Sequence, residues 1–147
     1  MIEGPFGAGC ECGAIRFQID RVFDVIYCHC RACRRRSGAP VLVSLQVPGD
    51  AMRLAAGRPT PYRTSKEGVN HFCGTCGCGV FGEYFNPSHP LAVNGRYYSV
   101  RLGALDEPER LAPMIHQFVE HRLGWFDTTD ALPRFTGNTL PHPEKRG

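Results

Sequence analysis

The chain carries eight cysteines, and they fall into three local groups. Cys10 and Cys12 form C-x-C; Cys28, Cys30 and Cys33 form C-x-C-x-x-C; Cys73, Cys76 and Cys78 form C-x-x-C-x-C. Sulfurs gathered this closely along a chain suit metal chelation better than disulfide bonding. The first residues, Met1 to Gly7, have neither a basic segment nor an apolar core that would direct secretion to an oxidising compartment. The expected cofactor is zinc, two ions per chain.

Structural zinc takes four protein ligands, and catalytic zinc keeps one position open. Cys73-Gly74-Thr75-Cys76 has the spacing of a zinc knuckle, with Gly77 following where the chain must bend. Cys10-Glu11-Cys12-Gly13 is a shorter turn with the same trailing glycine. Joined, Cys10, Cys12, Cys73 and Cys76 make a closed structural site that staples the N-terminal strand to mid-chain. The second group, Cys28, Cys30 and Cys33, supplies three ligands. Cys78 is flanked by Gly77 and Gly79 and could turn toward either site or neither. Spacing alone leaves both a closed and an open second site.

The elements that must hold these cysteines are mostly strands. Ala14–Ile19 places Ile15, Phe17 and Ile19 on one face, and Val22–Tyr27 reads as its neighbour across a tight turn at Asp20-Arg21. Further strands are expected over residues 40–47, 80–85, 97–102 and 115–120. Helix signals are weak: residues 106–111 could open a short turn before Pro113 interrupts it. Seventeen glycines and twelve prolines favour many short elements. Together these predict a mainly β fold, antiparallel for the most part, in one domain over residues 1–147, with an irregular tail from about residue 137.

The composition is that of a folded chain, 42% hydrophobic and 21% charged. No stretch is long and apolar enough for a membrane span, and a cytoplasmic location is the expectation. The formal charge of +3 falls to about zero if seven thiolates hold two zinc ions. That leaves little long-range attraction for nucleic acid, and no groove-reading motif is present. Fifteen of the seventeen basic residues are arginines, the side chain suited to gripping carboxylates and phosphates.

Several segments, in order, resemble the glutathione-dependent formaldehyde-activating (GFA) family, which includes relatives of centromere protein V. These are Gly9-Cys10-Glu11-Cys12-Gly13-Ala14-Ile15-Arg16-Phe17, then Cys28-His29-Cys30-Arg31-Ala32-Cys33-Arg34-Arg35-Arg36-Ser37-Gly38, then Phe72-Cys73-Gly74-Thr75-Cys76-Gly77, then Val100-Arg101-Leu102-Gly103-Ala104-Leu105-Asp106. Ile115-His116-Gln117-Phe118, Gly124-Trp125-Phe126 and Leu132-Pro133-Arg134-Phe135 resemble its closing signature. The resemblance implies small coiled β-sheets around two zinc sites. It matches Cys10, Cys12, Cys73 and Cys76 to the structural ligands, and Cys28, Cys30 and Cys33 to the second zinc, where thiol chemistry takes place. Cys78 departs from the family pattern.

The implied reaction is carbon–sulfur bond formation and its reverse. A thiol such as glutathione, activated as thiolate on the three-cysteine zinc, adds to formaldehyde to give S-(hydroxymethyl)glutathione. Arg34, Arg35 and Arg36 directly follow Cys33. They could offset the site's negative charge or bind the carboxylates of a glutathione-like substrate, with Arg34 and Arg35 the first candidates for that binding. The bland reading is a solvated basic turn. His29 is either a proton shuttle or a residue pointing away between two ligands. Trp125, Phe126 and Phe118 read as core or pocket wall, and Ser37 has no partner for a nucleophilic role. The alternative function is a non-catalytic module with two structural zincs that binds a protein or nucleic-acid partner.

Overall fold

The structure is a computed structural model and describes residues 1–139. Among the described residues, ten strands form two sheets. The smaller joins β1 (Ile2–Gly9), β2 (Arg16–Val22) and β5 (Met52–Ala56) in the order β1-β2-β5. The larger contains β3 (Asp24–Cys28), β4 (Leu42–Pro48), β6 (Thr60–Arg63), β7 (Gly68–Phe72), β8 (Gly79–Phe85), β9 (Arg96–Arg101) and β10 (Ile115–Gln117). Its order is β10-β3-β4-β9-β8-β7-β6, antiparallel except for the β10–β3 edge pair. Mainly β architecture is therefore correct, while the parallel edge is an addition to the expectation.

The tight turn at Asp20-Arg21 does not form. β2 continues through both residues to Val22, and the chain then bends at Phe23 into the other sheet. Their charges are satisfied from outside the strand, Asp20 by Arg53 of β5 at 2.6 Å and Arg21 by Asp50 at 2.5 Å. β2 and β3 are therefore not partners; β2 pairs with β1 and β5, and β3 with β4 and β10.

The larger sheet has two unlike faces. Val25, Leu45, Val47, Phe81, Tyr98 and Val100 point to one side and join Phe17, Ile19 and Val22 of the smaller sheet in the main core. Phe17 meets Phe81 edge-on at 5.5 Å, and Phe81 meets Tyr98 the same way at 5.8 Å. Because side chains alternate along a strand, the opposite face presents Ile26 and Cys28 from β3, Ser44 and Gln46 from β4, and Tyr97, Ser99 and Arg101 from β9. The register extends this row sideways, with Gln46 opposite Ser99 and Tyr84 opposite Tyr97. One face builds the core, and the other is a polar floor.

Helix α1 (Arg31–Ser37) was not expected from sequence. Its N-cap is Cys30, whose Sγ accepts a hydrogen bond from the Cys33 N–H at 3.3 Å. Gly38 ends it in a left-handed conformation, φ 68°, and donates its N–H to Arg34 O at 2.8 Å. Residues 106–111 contain only a 3-10 turn, Pro108–Arg110. The strand expected over 115–120 stops at Gln117, after which Phe118 is left-handed and Val119–His121 form another 3-10 turn. Residues 140–147 of the expected irregular tail lie outside the described residues.

Candidate functional site

Two cysteine groups come together, and each converges on a common centre. The thiols of Cys10, Cys12, Cys73 and Cys76 lie within 4.8 Å of one another, as do those of Cys28, Cys30 and Cys33. Both groups could hold a metal ion. Cys78 belongs to neither; its Sγ contacts the Gly79 carbonyl at 3.7 Å.

The four-cysteine group links the two sheets. Cys10 and Cys12 sit in the β1–β2 connection, and Cys73 and Cys76 sit between β7 and β8. Each turn closes on a backbone hydrogen bond, Gly13 N to Cys10 O at 3.2 Å and Gly77 N to Cys73 O at 2.8 Å. Both glycines have φ near +80° (79° and 78°), a conformation costly for any side chain. Sulfur contacts of 3.6 Å (Cys10–Cys12) and 3.7 Å (Cys12–Cys73) complete the cage. The Ile15 N–H, donating to Cys10 Sγ at 3.2 Å, is the chief cause that lowers the Cys10 thiol to about 6. Cys10 and Cys73 are buried in the main core, so this group sits inside the fold's principal junction.

The three-cysteine group belongs to a second, smaller apolar cluster with Ile26, Ile115, Phe118 and Phe135. The C-x-C-x-x-C spacing has a direct structural meaning. Cys28 is the last residue of β3, Cys30 caps α1, and Cys33 lies in the first turn. Hydrogen bonds from Cys28, from Cys33 and from the backbone N–H groups of Cys33 and Ala32 hold the Cys30 thiol far below its usual range. Such a donor set, soft sulfur with one sulfur stabilised as thiolate, fits zinc.

Beside these cysteines is a cavity of about 230 Å³. α1 contributes Cys30, Ala32, Cys33 and Arg36, and the polar sheet face contributes Cys28, Ser44, Gln46, Tyr84, Tyr97 and Ser99. Gln117, Phe118 and Asn138 close it from the C-terminal side. No acidic side chain lines it among the described residues. Arg36 lies beside Tyr84, whose hydroxyl is held above its usual range chiefly by burial. Buried Arg101, donating to Asn70 Oδ1 at 2.5 Å, lies close enough to Cys33 and Tyr84 to interact with them electrostatically.

Arg34 and Arg35 are placed elsewhere. With Arg31, Leu123 and the exposed Trp125 they line a more open cleft of about 630 Å³. Arg34 also pins the C-terminal segment, donating to the His29 carbonyl at 2.8 Å and to the His121 carbonyl. Residues 31, 34 and 35 lie on one side of a 3.6-residue helix, and 33 and 36 on the other. The two cavities therefore flank α1 on opposite faces.

His29 is buried and does not line the cysteine cavity. Its Nε2 meets His116 Nδ1 at 2.8 Å, and His116 Nε2 meets both Asp130 oxygens at 3.1 Å. The carboxylate only accepts, so His116 Nε2 carries the proton, and the neutral ring accepts from His29 Nε2–H. Burial, followed by the neighbouring His116, lowers the His29 imidazole to about 4. Tyr27 stacks on His116 with ring centroids 4.6 Å apart. This chain ties the loop between Cys28 and Cys30 to the C-terminal segment.

The sequence reading named Arg36 together with Arg34 and Arg35 without separating it from them, and it missed Tyr84, Tyr97, Gln46, Ser99 and Gln117. The available signal was the polar residue at every second position of β4 and β9, Ser44 and Gln46 against Tyr97 and Ser99.

Residues 5–121 match the family model described as glutathione-dependent formaldehyde-activating enzyme. The chain belongs to the GFA family. It is 25% identical over 137 residues to a Halomonas elongata protein named "Putative glutathione-dependent formaldehyde-activating enzyme", an alignment covering 86% of this chain and 80% of that one. A crystal structure of a Rhodobacter sphaeroides protein shares the fold, with a TM-score of 0.53 and 23% identity, covering 68% of this chain and 87% of that chain. The GFA match takes in all eight cysteines and α1 and ends at His121, before Trp125 and Asp130. No helix among the described residues is long and apolar enough to cross a membrane.

Proposed function

We propose that this GFA protein is a carbon–sulfur lyase and synthase that joins a thiol such as glutathione reversibly to a small aldehyde such as formaldehyde. The observation that carries this reading is a three-thiol group opening onto an acid-free polar cavity, with the eighth cysteine kept apart. Cys10, Cys12, Cys73 and Cys76 hold a structural zinc, and Cys28, Cys30 and Cys33 hold the second. When bound there, zinc stabilises a fourth sulfur as thiolate near neutral pH.

The chain's own residues do the rest. The Cys33 N–H fixes the Cys30 sulfur, which keeps the three-thiol geometry rigid. Arg101 offsets the negative charge that accumulates on sulfur. The hydroxyls and amides of Ser44, Gln46, Ser99 and Gln117 offer hydrogen bonds to an aldehyde oxygen as it becomes a hydroxyl. In the forward direction a carbon–sulfur bond forms, the carbonyl π bond breaks, and the thiol proton ends on that oxygen. The location we infer is cytoplasmic, and the whole chain acts as one domain.

The test is exchange NMR with carbon-13 formaldehyde and glutathione. The zinc-loaded protein is expected to accelerate exchange between free aldehyde and S-(hydroxymethyl)glutathione, and Cys33→Ser is expected not to. Equal rates with and without protein would refute the activity. The Arg31, Arg35 and Trp125 cleft keeps a second reading open to test, a binding module; salt-dependent oligonucleotide binding without rate enhancement would favour it.

A further inference from the structure

The cysteine cavity carries information about which thiol it takes. At about 230 Å³ it is smaller than the ~300–1,000 Å³ of sites that enclose a drug-sized ligand. A tripeptide thiol cannot sit wholly inside it; a small thiol can, as can the cysteinyl end of a larger one. Arg36 contributes to the lining beside Tyr84 but forms no ion pair with a described carboxylate. A guanidinium has five N–H donors in a planar fork matched to a carboxylate. Arg101, a second cation close to Cys33 and Tyr84, is buried and turned to Asn70.

Arg34 and Arg35 cannot perform this role for the same ligand. They face the other side of α1, and a helix with its side chains is about 10–12 Å across. A thiol whose sulfur reaches Cys28, Cys30 and Cys33 would have its carboxylate near Arg36.

Resting on the thiol-activation reading above, we propose that Arg36 is the specificity residue of the cavity, and that the preferred substrate is a thiol carrying a carboxylate a few atoms from its sulfur. The carboxylate can belong to a small mercapto-acid enclosed whole, or to the peptide end of glutathione reaching in through the mouth.

The test uses the intact protein with cobalt(II) in place of zinc, titrated with 3-mercaptopropionate, its uncharged amide and glutathione. The sulfur-to-cobalt absorption reports binding without turnover. Wild type is expected to bind the acid about 10- to 100-fold more tightly than the amide. Arg36→Gln is expected to remove that preference while amide binding stays within about twofold, and Arg36→Lys to restore it only in part, because a point charge lacks the fork. The ratio of acid to glutathione affinity separates the two carboxylate sources. Equal binding of acid and amide by wild type would overturn the proposal, as would equal weakening of both by Arg36→Gln, the mark of mere charge balance. If no thiol alters the spectrum, the thiol-activation reading itself fails; if the amide alters it and the acid gains nothing, only the carboxylate assignment fails.

Discussion

His116→Ala is the substitution whose cost the structure lets us work out most fully. The ring is 1% exposed, donates to Asp130, accepts from His29 and stacks on Tyr27. Its removal leaves the His29 Nε2–H unpaired in a site where Nδ1 already has no partner. An orphaned buried donor costs about 1–3 kcal/mol. Lost packing of the imidazole against Tyr27 and its surroundings adds about 1–2 kcal/mol. A total of about 2–5 kcal/mol corresponds to a fall of roughly 10 °C in melting temperature for a chain of this size. Because His29 lies between Cys28 and Cys30, the damage is expected at the three-cysteine group first. Thermal unfolding of the zinc-loaded protein, with metal content measured in parallel, provides the assay. The four-cysteine metal should be retained while the second is lost more readily to a chelator. A melting temperature within about 1 °C of wild type, with both metals held equally firmly, would refute the claim that this chain holds the cysteine loop.

Other substitutions separate the cysteines by role. Cys78→Ser should leave two metals per chain and shift the melting temperature by no more than about 3 °C, since the thiol packs only at the margin of the main core and its hydrogen bond is a weak one to the adjacent carbonyl; loss of one metal would show that Cys78 is a ligand. Cys73→Ser should destabilise the whole fold, because this group joins the two sheets and folding and metal binding share one free energy; circular dichroism and metal analysis would check it. Gly77→Ala, forced to φ 78°, should cost about 1–2 kcal/mol by denaturant unfolding, with nothing within 4 Å to clash.

How much the sequence disclosed follows from how local each feature is. The cysteine groups were legible because their ligands recur within six residues and the turn glycines follow directly. β2, β4 and β9 were legible through their two-residue alternation. The switch of sheets at Phe23 was not, because Asp20 and Arg21 have a turn-like composition and their partners Arg53 and Asp50 lie about thirty residues away. α1 was hidden because its cap is a cysteine rather than serine, threonine or aspartate. Its arginine-rich run and Gly38 stop were visible. β6 is exposed along its whole length and carries no apolar signal. The cavity was least legible, since Arg36, Gln46, Tyr84 and Gln117 meet only through the register of the larger sheet and its parallel edge.

The central claim is that the three-cysteine metal accepts a fourth sulfur from a substrate. Titration of glutathione into the cobalt(II)-substituted protein measures this directly. The account predicts a saturable increase in sulfur-to-cobalt charge-transfer absorption that Cys78→Ser leaves unchanged and Cys33→Ser abolishes. A spectrum unaltered at millimolar glutathione, with both metals bound, would contradict it.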